Sequence, residues 1–264
     1  NETYIKKVAV IGGGLAGSEA AWQLAEAGVQ VTLWEMKPKQ YSPAHQNPNL
    51  AELVCSNSLR SRDIHSAVGL LKQEMADWNS LIIKTARECA VPADKALAVD
   101  REKFSRRISR ALRDHSLIEI KRKEVTSLAE SAWRGYDAVI VAAGPLPGEA
   151  LAKEISRITG REQLYFYDAI APVVTRESLD ENKMFWASRH DEESKDYLNI
   201  PLTREQYYNF YQELLRGRRI PFRKFEQEVH FEGCMPIESL AERGEKTLLF
   251  GPLKPLGLKD PETG

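Results

Sequence analysis

The stretch KKVAVIGGGLAGSEAAWQLAEAGVQVTLWEMKP, residues 6–38, determines the fold. Residues 8–11 form a continuous apolar run bounded by glycine, which is typical of a buried parallel strand. The next segment has apolar residues at helical spacing and stops at Gly28, a position suited to a C-cap. Residues 29–34 predict a second strand that ends on Glu35. The order strand, helix, strand indicates an α/β fold with a Rossmann-like domain.

Three glycines follow the first strand as GxGxxG, and they enclose Leu15 and Ala16. Gly12 permits the tight turn into the helix, Gly14 lets backbone amides approach a pyrophosphate, and Gly17 allows close packing of helix and strand. The helix N-terminus then directs its partial positive charge at the phosphates. The motif alone is weak evidence, because Gly-rich turns also occur in α/β proteins that bind no nucleotide. With both strands and the helix around it, the motif predicts a dinucleotide site.

An acidic residue and a second motif limit which dinucleotide is expected. Glu35, at the end of the second strand, can accept hydrogen bonds from ribose hydroxyls and disfavours a 2′-phosphate, so we expect FAD or NAD rather than NADP. In YDAVIVAAGP, residues 136–145, an apolar strand ends in Ala142, Ala143 and Gly144, whose small size leaves room for a ligand. An ordinary buried strand and turn would look similar. Paired with the first motif, this segment favours FAD and the two-dinucleotide-binding-domain flavoprotein type. Val125, after a preceding strand-like segment, is a candidate to line the adenine.

Composition excludes several classes of protein. The 264 residues are 42% hydrophobic and 28% charged, with a formal net charge of -1, so no global basic field attracts nucleic acid. No apolar run approaches the roughly 20 residues of a membrane span, and the N-terminus lacks the apolar region of a signal peptide. Three widely spaced cysteines predict a reducing, cytoplasmic environment rather than a disulfide framework. No metal-ligand spacing occurs among cysteine and histidine, and we predict no metal site.

The chain changes character after its first two thirds. We predict an FAD-binding domain over residues 1–171, and a smaller α+β insertion or substrate domain over residues 172–264, where charge density rises. The final segment, GPLKPLGLKDPETG, is a Pro/Gly-rich turn region that completes no element. The chain is therefore expected to be the front part of a longer protein.

Basic clusters provide candidates for contact with phosphate. Arg60 and Arg62 lie in SLRSR beside a cysteine, and Arg218 and Arg219 lie in RGRRIPFRK. Such runs are usually solvated helix ends or loops. Contact with RNA phosphates is the alternative hypothesis for all four arginines.

The three cysteines have different surroundings. Cys89 lies near the end of a predicted helix and is expected to be a small buried hydrophobe. Cys55, in ELVCSNSLRS, has hydroxyl, amide and guanidinium neighbours that could favour a thiolate. Cys234 lies between Gly233, which permits close approach, and a stiff Met-Pro pair. Taken singly, each of these two thiols could equally be structural.

Six segments together resemble the bacterial folate- and FAD-dependent tRNA (uracil-5-)-methyltransferase family, TrmFO: VIGGGLAGSEAAWQLA, ELVCSNSLRS, ADKALAVDREKF, YFYDAIAPVV, DYLNIPLT and EVHFEGCMPIE. The likeness covers nearly the whole chain. It implies methylenetetrahydrofolate as carbon donor, and reduced FAD supplying electrons from NAD(P)H. It also implies tRNA as substrate, with 5-methyluridine at position 54 of the T loop as product. The family has a further C-terminal portion that completes the flavin pocket, and this chain ends before it.

The implied chemistry requires a thiolate near a redox cofactor. Uracil C5 is a poor nucleophile until a thiolate adds at C6, and the methylene then joined to C5 must be reduced by hydride. By resemblance, Cys234 is the C6 nucleophile, and Cys55 is the second catalytic thiol, serving proton transfer at C5 or protecting the flavin. The two roles could be exchanged.

Other functions remain open at the level of sequence. Related flavoproteins that modify a tRNA wobble uridine or a ribosomal RNA uridine share the FAD motif. A thiol–disulfide flavin reductase would require a close cysteine pair, which the sequence lacks. A non-catalytic flavin-binding module that contacts RNA, with structural thiols, is the remaining alternative.

Overall fold

The structure is a computed structural model that describes residues 5–54, 56–161, 174–190, 193–218, 235–255 and 257–261. The chain forms two compact units. The first comprises residues 1–91 and 96–166, and the second comprises residues 92–95 and 167–264. The boundary predicted between residues 171 and 172 lies outside the described residues and stays a prediction.

The described part of the first unit contains seven strands and five α-helices. In chain order they are β1 (Lys7–Ile11), α1 (Leu15–Glu26), β2 (Gln30–Glu35), β3 (Ser58–Ser61), α2 (Ala67–Asp77), α3 (Leu81–Glu88), β4 (Ala90–Val91), β5 (Ala96–Val99), α4 (Arg101–Asp114), β6 (Ile118–Arg122), β7 (Ala138–Val141) and α5 (Glu149–Thr159).

A four-stranded parallel sheet lies at the centre of this unit. Its order is β6-β2-β1-β7, and every neighbouring pair is parallel. The chain therefore builds outward from β1 through β2 to β6, and then crosses to the other side of β1 for β7. That reversal of direction creates a crevice at the carboxyl ends of β1 and β7, which is where open α/β sheets bind ligands. The predicted α/β fold with a parallel sheet is confirmed.

Two helices, α1 and α4, pack against the sheet. In α4, Phe104, Ile108 and Leu112 recur at intervals of four residues and are fully buried, as the helical spacing predicts. They pack in one core cluster with residues of β1, β2, α1 and α3. Asp100 caps α4, because its carboxylate accepts a hydrogen bond from the Lys103 amide. The core thus fixes the sheet, and with it the crevice, against these helices.

Two local features differ from the simplest interpretation of the sequence. Residues 67–89 have helical spacing throughout, yet the structure divides them into α2 and α3. Asn79 takes a left-handed φ of 57°, and the Ser80 side chain caps the new helix by accepting from the Ile83 amide. The segment VPADKALAVD, which has turn chemistry, contributes the strand β5 between β3 and β4 in a small antiparallel sheet.

The second unit has its own small core. Its described elements include the antiparallel hairpin of β8 (Phe185–Ala187) and β9 (Tyr197–Asn199), and the helices α6 (Arg204–Arg216), α7 (Ile237–Glu242) and α8 (Thr247–Phe250). Tyr207 and Tyr211 of α6 pack against Ala241 and Leu248. A capping box between Thr203 and Gln206 starts α6.

Residues 92–95 join the second unit through hydrogen bonds. The Asp94 carboxylate accepts from the His190 backbone amide at 3.1 Å and lies 2.9 Å from the Nδ1 of His190, while the Asp94 amide donates to Asp196.

Among the described residues, none of the helices has the length and apolar character needed to cross a membrane.

Candidate functional site

A cleft of about 330 Å³ opens in the first unit at the carboxyl ends of β1, β2 and β7. Nine of the ten residues predicted to bind a cofactor line this cleft, although they come from distant parts of the sequence. They are Gly12, Gly14, Leu15, Ala16, Glu35, Val125, Ala142, Ala143 and Gly144. The tenth, Gly17, is buried on α1 behind the turn. The fold therefore brings the two sequence motifs to one place.

Each glycine of the motif has a separate physical reason. Gly12 has a φ of 101°, and a Cβ there would lie 2.5 Å from the Ala142 carbonyl oxygen. A Cβ on Gly17 would lie 1.8 Å from the Gly12 carbonyl oxygen. A Cβ on Gly14 would meet no heavy atom within 4 Å. Gly12 and Gly17 are therefore required by the packing of the turn, whereas Gly14 faces open space beside the cleft.

Gly13, which the motif leaves unspecified, also has a defined role. Its amide donates a 2.8 Å hydrogen bond to Glu35 Oε2, and a Cβ there would lie 2.5 Å from Leu50 Cδ2. The Lys37 amide donates to Glu35 Oε1, also at 2.8 Å. The Glu35 side chain is thus held by two backbone amides at the floor of the cleft, with its residue only 6% exposed. A carboxylate oxygen has more than one lone pair, so each can accept a further hydrogen bond.

Replacing Glu35 with glutamine should weaken retention of the dinucleotide. The side-chain NH2 group of glutamine would face one of the two backbone N–H donors, which would then lack an acceptor. Leaving a buried donor unpaired costs about 1–3 kcal/mol. We expect a lower flavin content and a lower melting temperature in the purified full-length protein, measured by absorbance and thermal unfolding. Glu119→Gln, at an exposed carboxylate of β6, is the matched control. Unchanged flavin occupancy in Glu35→Gln would contradict the contact.

One wall of the cleft comes from the loop after β2, which the sequence indicated only as irregular. Lys37 is buried there, and its Nζ donates to the Asn49 carbonyl at 2.8 Å and to Glu52 Oε2 at 2.9 Å. Glu52 Oε1 accepts from the amides of Gln46 and Asn47. The pair of charges therefore ties both ends of the loop together. Sequence reasoning missed both residues, because nothing local indicates that positions 37 and 52 meet.

Two groups in this wall have shifted pKa values. Burial, followed by the charge of Lys37, lowers the pKa of His45, whose Nδ1 lies 2.6 Å from Ser42 Oγ. Burial acts to raise the pKa of Glu52. The hydrogen bonds from the Gln46 amide and Lys37 outweigh it, and the pKa of Glu52 is lowered overall. His45 is therefore held neutral and Glu52 ionised near neutral pH.

The His45 shift predicts a dependence of stability on pH. Because the folded state resists protonation of His45, its contribution is present above the ordinary pKa of 6.5 and is lost as the pH falls through the lowered value. The corresponding loss from Glu52 comes only below its ordinary pKa of 4.5. We expect His45→Gln to make the free energy of unfolding fall less steeply between about pH 7 and pH 5. Denaturant melts at each pH measure this. His65→Gln, at an exposed position, should keep the wild-type slope.

The structure describes one of the three cysteines, Cys89. Cys89 is 2% exposed in the main core, and burial raises the pKa of its thiol. Its predicted role as a small buried hydrophobe is confirmed. Cys55 and Cys234 lie outside the described residues. Val54, which precedes Cys55, lines the cleft.

The predicted RNA-contact arginines are exposed where the structure describes them. Arg60 has a φ of 65° at an irregularity in β3, and Arg62 follows that strand. Arg218 follows the C-terminus of α6, and Arg219 lies outside the described residues. The described residues contain no group of three or more histidine, cysteine, aspartate or glutamate side chains that could hold a metal ion.

Comparison with known proteins identifies the family. A family model described as glucose inhibited division protein A matches residues 7–263. This chain belongs to that family. One curated relative is the methylenetetrahydrofolate–tRNA-(uracil-5-)-methyltransferase TrmFO of Desulforamulus reducens. The chain is 56% identical to it over 258 residues, and the match covers 98% of this chain and 57% of that protein.

Two further relatives carry the same name. The chain is 53% identical to TrmFO of Lawsonia intracellularis, over 98% of this chain and 59% of that protein. It is 52% identical to TrmFO of Oleidesulfovibrio alaskensis, over 99% of this chain and 59% of that protein. The resemblance to TrmFO found in the sequence is therefore confirmed. This member of the family spans somewhat under three fifths of the length of these relatives. The chain also resembles the solved structure of FqzB, with 17% identity and a TM-score of 0.37. The match covers 59% of this chain and 39% of that one, and it is too slight to inform function.

Proposed function

We propose that this chain is part of a folate- and FAD-dependent tRNA (uracil-5-)-methyltransferase that forms 5-methyluridine at position 54 of the T loop. The observation that carries the proposal is the 56% identity to a TrmFO protein over 98% of the chain. The cleft supports it independently, because it has the form that a dinucleotide requires.

The residues of the cleft fit the ADP part of FAD. The open space at Gly14 and the N-terminus of α1 are suited to the pyrophosphate, and the Glu35 carboxylate is suited to the ribose hydroxyls. The Trp34 indole N–H, in the same lining, is buried with no hydrogen-bond partner among the described residues, and a bound nucleotide could supply an acceptor. Val125 would contact the adenine.

The small residues after β7 would accept the remainder of the cofactor. Ala142, Ala143 and Gly144 line the cleft. Gly144 has a φ of 68°, and a Cβ added to it would meet no heavy atom within 4 Å. Backbone can therefore approach a ligand here without a side chain in the way. When bound, the flavin would supply the hydride that reduces the transferred carbon, with NAD(P)H as its source and methylenetetrahydrofolate as the carbon donor.

The thiols supply the covalent step of the proposal. Cys234 as a thiolate would add to C6 of uracil, which makes C5 nucleophilic toward the folate methylene group. Cys55 would serve proton transfer at C5 or protect the flavin. The presence of Val54 in the cleft wall supports a role for the adjacent thiol near the cofactor. The substrate is then a uridine in tRNA, with Arg60, Arg62, Arg218 and Arg219 as candidate contacts and residues 172–264 as an insertion or substrate domain.

Isotope transfer from the folate tests this function. The full-length protein is incubated with unmodified tRNA transcript, NADH or NADPH, and methylenetetrahydrofolate labelled in its methylene carbon. We expect the label in the C5 methyl group of uridine 54, located by nuclease digestion and mass spectrometry. Label at the wobble position or in ribosomal RNA would reassign the enzyme. Bound flavin without labelled uridine in any RNA would overturn the proposal.

A further inference from the structure

A second concavity in the first unit is strongly basic. It encloses about 330 Å³, and its lining includes Arg62, Lys72 and Arg87, together with Gln73 and Ile64. The three cations come from different elements, since Arg62 follows β3, Lys72 lies on α2 and Arg87 lies on α3. No lining residue is shared with the dinucleotide cleft, and no aspartate or glutamate occurs among the described residues that line it.

Like charges lie close together around this basic pocket. Lys72 is half-buried, and burial, followed by the charge of Arg60, lowers the pKa of its ammonium group. Like charges gathered in a partly desolvated space repel one another, and a bound anion would remove that cost. Arg60 thus adds a fourth positive charge near the pocket.

The cationic side chains are held in defined positions. Lys72 Nζ donates to the Val68 carbonyl at 2.9 Å, which engages one of its three N–H donors. Gln73 accepts from Arg87 Nη2 at 3.1 Å and donates to Asp77 at 2.8 Å. Hydrogen bonds within the folded unit therefore orient the pocket before any ligand binds, which lowers the entropy cost of binding.

Two nearby carboxylates, Glu88 and Asp77, have other partners. Glu88, the neighbour of Arg87 in sequence, pairs with Arg107 of α4. Asp77 of α2 accepts from Gln73. The described lining therefore contains three cationic side chains, although Glu88 and Asp77 occur on the same elements as Arg87 and Lys72.

We propose that this basic pocket binds a backbone phosphate of the RNA substrate, with Lys72 and Arg87 as contacts in addition to Arg62. The inference rests on the proposed function for the choice of RNA. Arginine presents a planar fork that matches phosphate, and lysine contacts it as a point charge. The pocket places one sequence-predicted arginine, Arg62, in a three-element site that the sequence did not indicate.

Chain length sets an upper limit on the distance between this pocket and the cleft. Val54 lines the cleft and Arg62 lines the pocket, and the eight residues between their Cα atoms span at most about 28 Å when extended. At about 3.4 Å per stacked nucleotide, that distance corresponds to roughly eight nucleotides of one strand. An RNA strand whose target uridine lies beside the cleft is therefore long enough to span this distance.

Binding of unmodified tRNA transcript to the full-length protein tests the site. Lys72→Gln, Arg87→Gln and the double variant are compared with wild type by fluorescence anisotropy between about 50 and 200 mM salt. We expect each single variant to bind about five- to tenfold more weakly at the middle of that range. The slope of log affinity against log salt should become shallower by about 0.7–0.9 in the double variant, since one phosphate contact is lost.

Matched variants separate this site from general effects of charge and folding. Arg110→Gln removes an exposed arginine of α4, 81% exposed, and should leave both affinity and salt slope unchanged. Lys72→Arg keeps the charge and should retain affinity. Flavin content and melting temperature identify any variant that fails to fold. Unchanged tRNA affinity and slope in the folded double variant would overturn the proposal.

Three outcomes separate this inference from its alternative and from the proposed function. If Lys72→Gln instead raises the KM for polyglutamylated methylenetetrahydrofolate with unchanged tRNA affinity, the pocket binds the folate carboxylates and the RNA assignment is wrong. If wild type methylates uridine 54 and the double variant binds tRNA normally, the phosphate site alone fails. If wild type binds tRNA through the pocket but transfers no label, the proposed function alone fails.

Discussion

Cys234→Ala in the full-length protein is expected to abolish methyl transfer to uridine while flavin content stays near that of wild type. Without a thiolate at C6, C5 of uracil remains too weak a nucleophile for the folate methylene, so the rate should fall by about 10³-fold or more. The residues proposed to hold FAD do not include Cys234, whose proposed role is covalent addition to uracil, so cofactor retention should not depend on this thiol.

Single-turnover transfer of labelled carbon measures the effect, and two variants make the result specific. Cys89→Ala removes a thiol that is buried in the core, and it should lower stability without abolishing turnover. Cys55→Ala separates the two catalytic roles, because only loss of the C6 nucleophile should eliminate a covalent protein–RNA species on denaturing gels. Retained turnover in Cys234→Ala would reject its role. Loss of the covalent species in Cys55→Ala alone would exchange the two assignments.

The second large effect is expected from substituting glycines of the first motif. Gly17→Ala should reduce the stability of the fold, whereas Gly14→Ala should reduce only flavin binding. Gly17→Ala would place a Cβ 1.8 Å from the Gly12 carbonyl oxygen and 3.0 Å from its carbonyl carbon, so the backbone would have to shift. We expect a loss of about 3 kcal/mol or more in the free energy of unfolding, because α1 would be forced away from β1. The variant should lose flavin as a consequence of misfolding.

Gly14→Ala should lose flavin without losing the fold. Its Cβ meets no heavy atom within 4 Å, and its backbone φ of -71° suits any residue, so stability should change by less than about 0.5 kcal/mol. The added methyl group would stand where the pyrophosphate approaches the turn. Thermal melts of the flavin-free proteins, compared with flavin absorbance after reconstitution, separate the two variants. A fully flavinated Gly14→Ala protein would show that the phosphates bind elsewhere.

Much of the cofactor cleft could be predicted because its signals are local. The apolar run of β1, the glycine turn and the spacing of α1 each depend on residues close in sequence, and the small residues that end β7 form a second local signal. The rule that parallel strands present their carboxyl ends at one edge then places both motifs together. The break between α2 and α3 escaped prediction, since Asn79 interrupts a segment whose periodicity is otherwise continuous.

The sequence by itself determined a βαβ unit with a dinucleotide turn and a resemblance to one enzyme family. Only the tertiary structure brought Lys37 against Glu52 and assembled Lys72 and Arg87 into a basic pocket with Arg62. The physical reason is that backbone periodicity and turn geometry are set by neighbouring residues, whereas the pairing of distant charges depends on how helices and loops pack around a shared core.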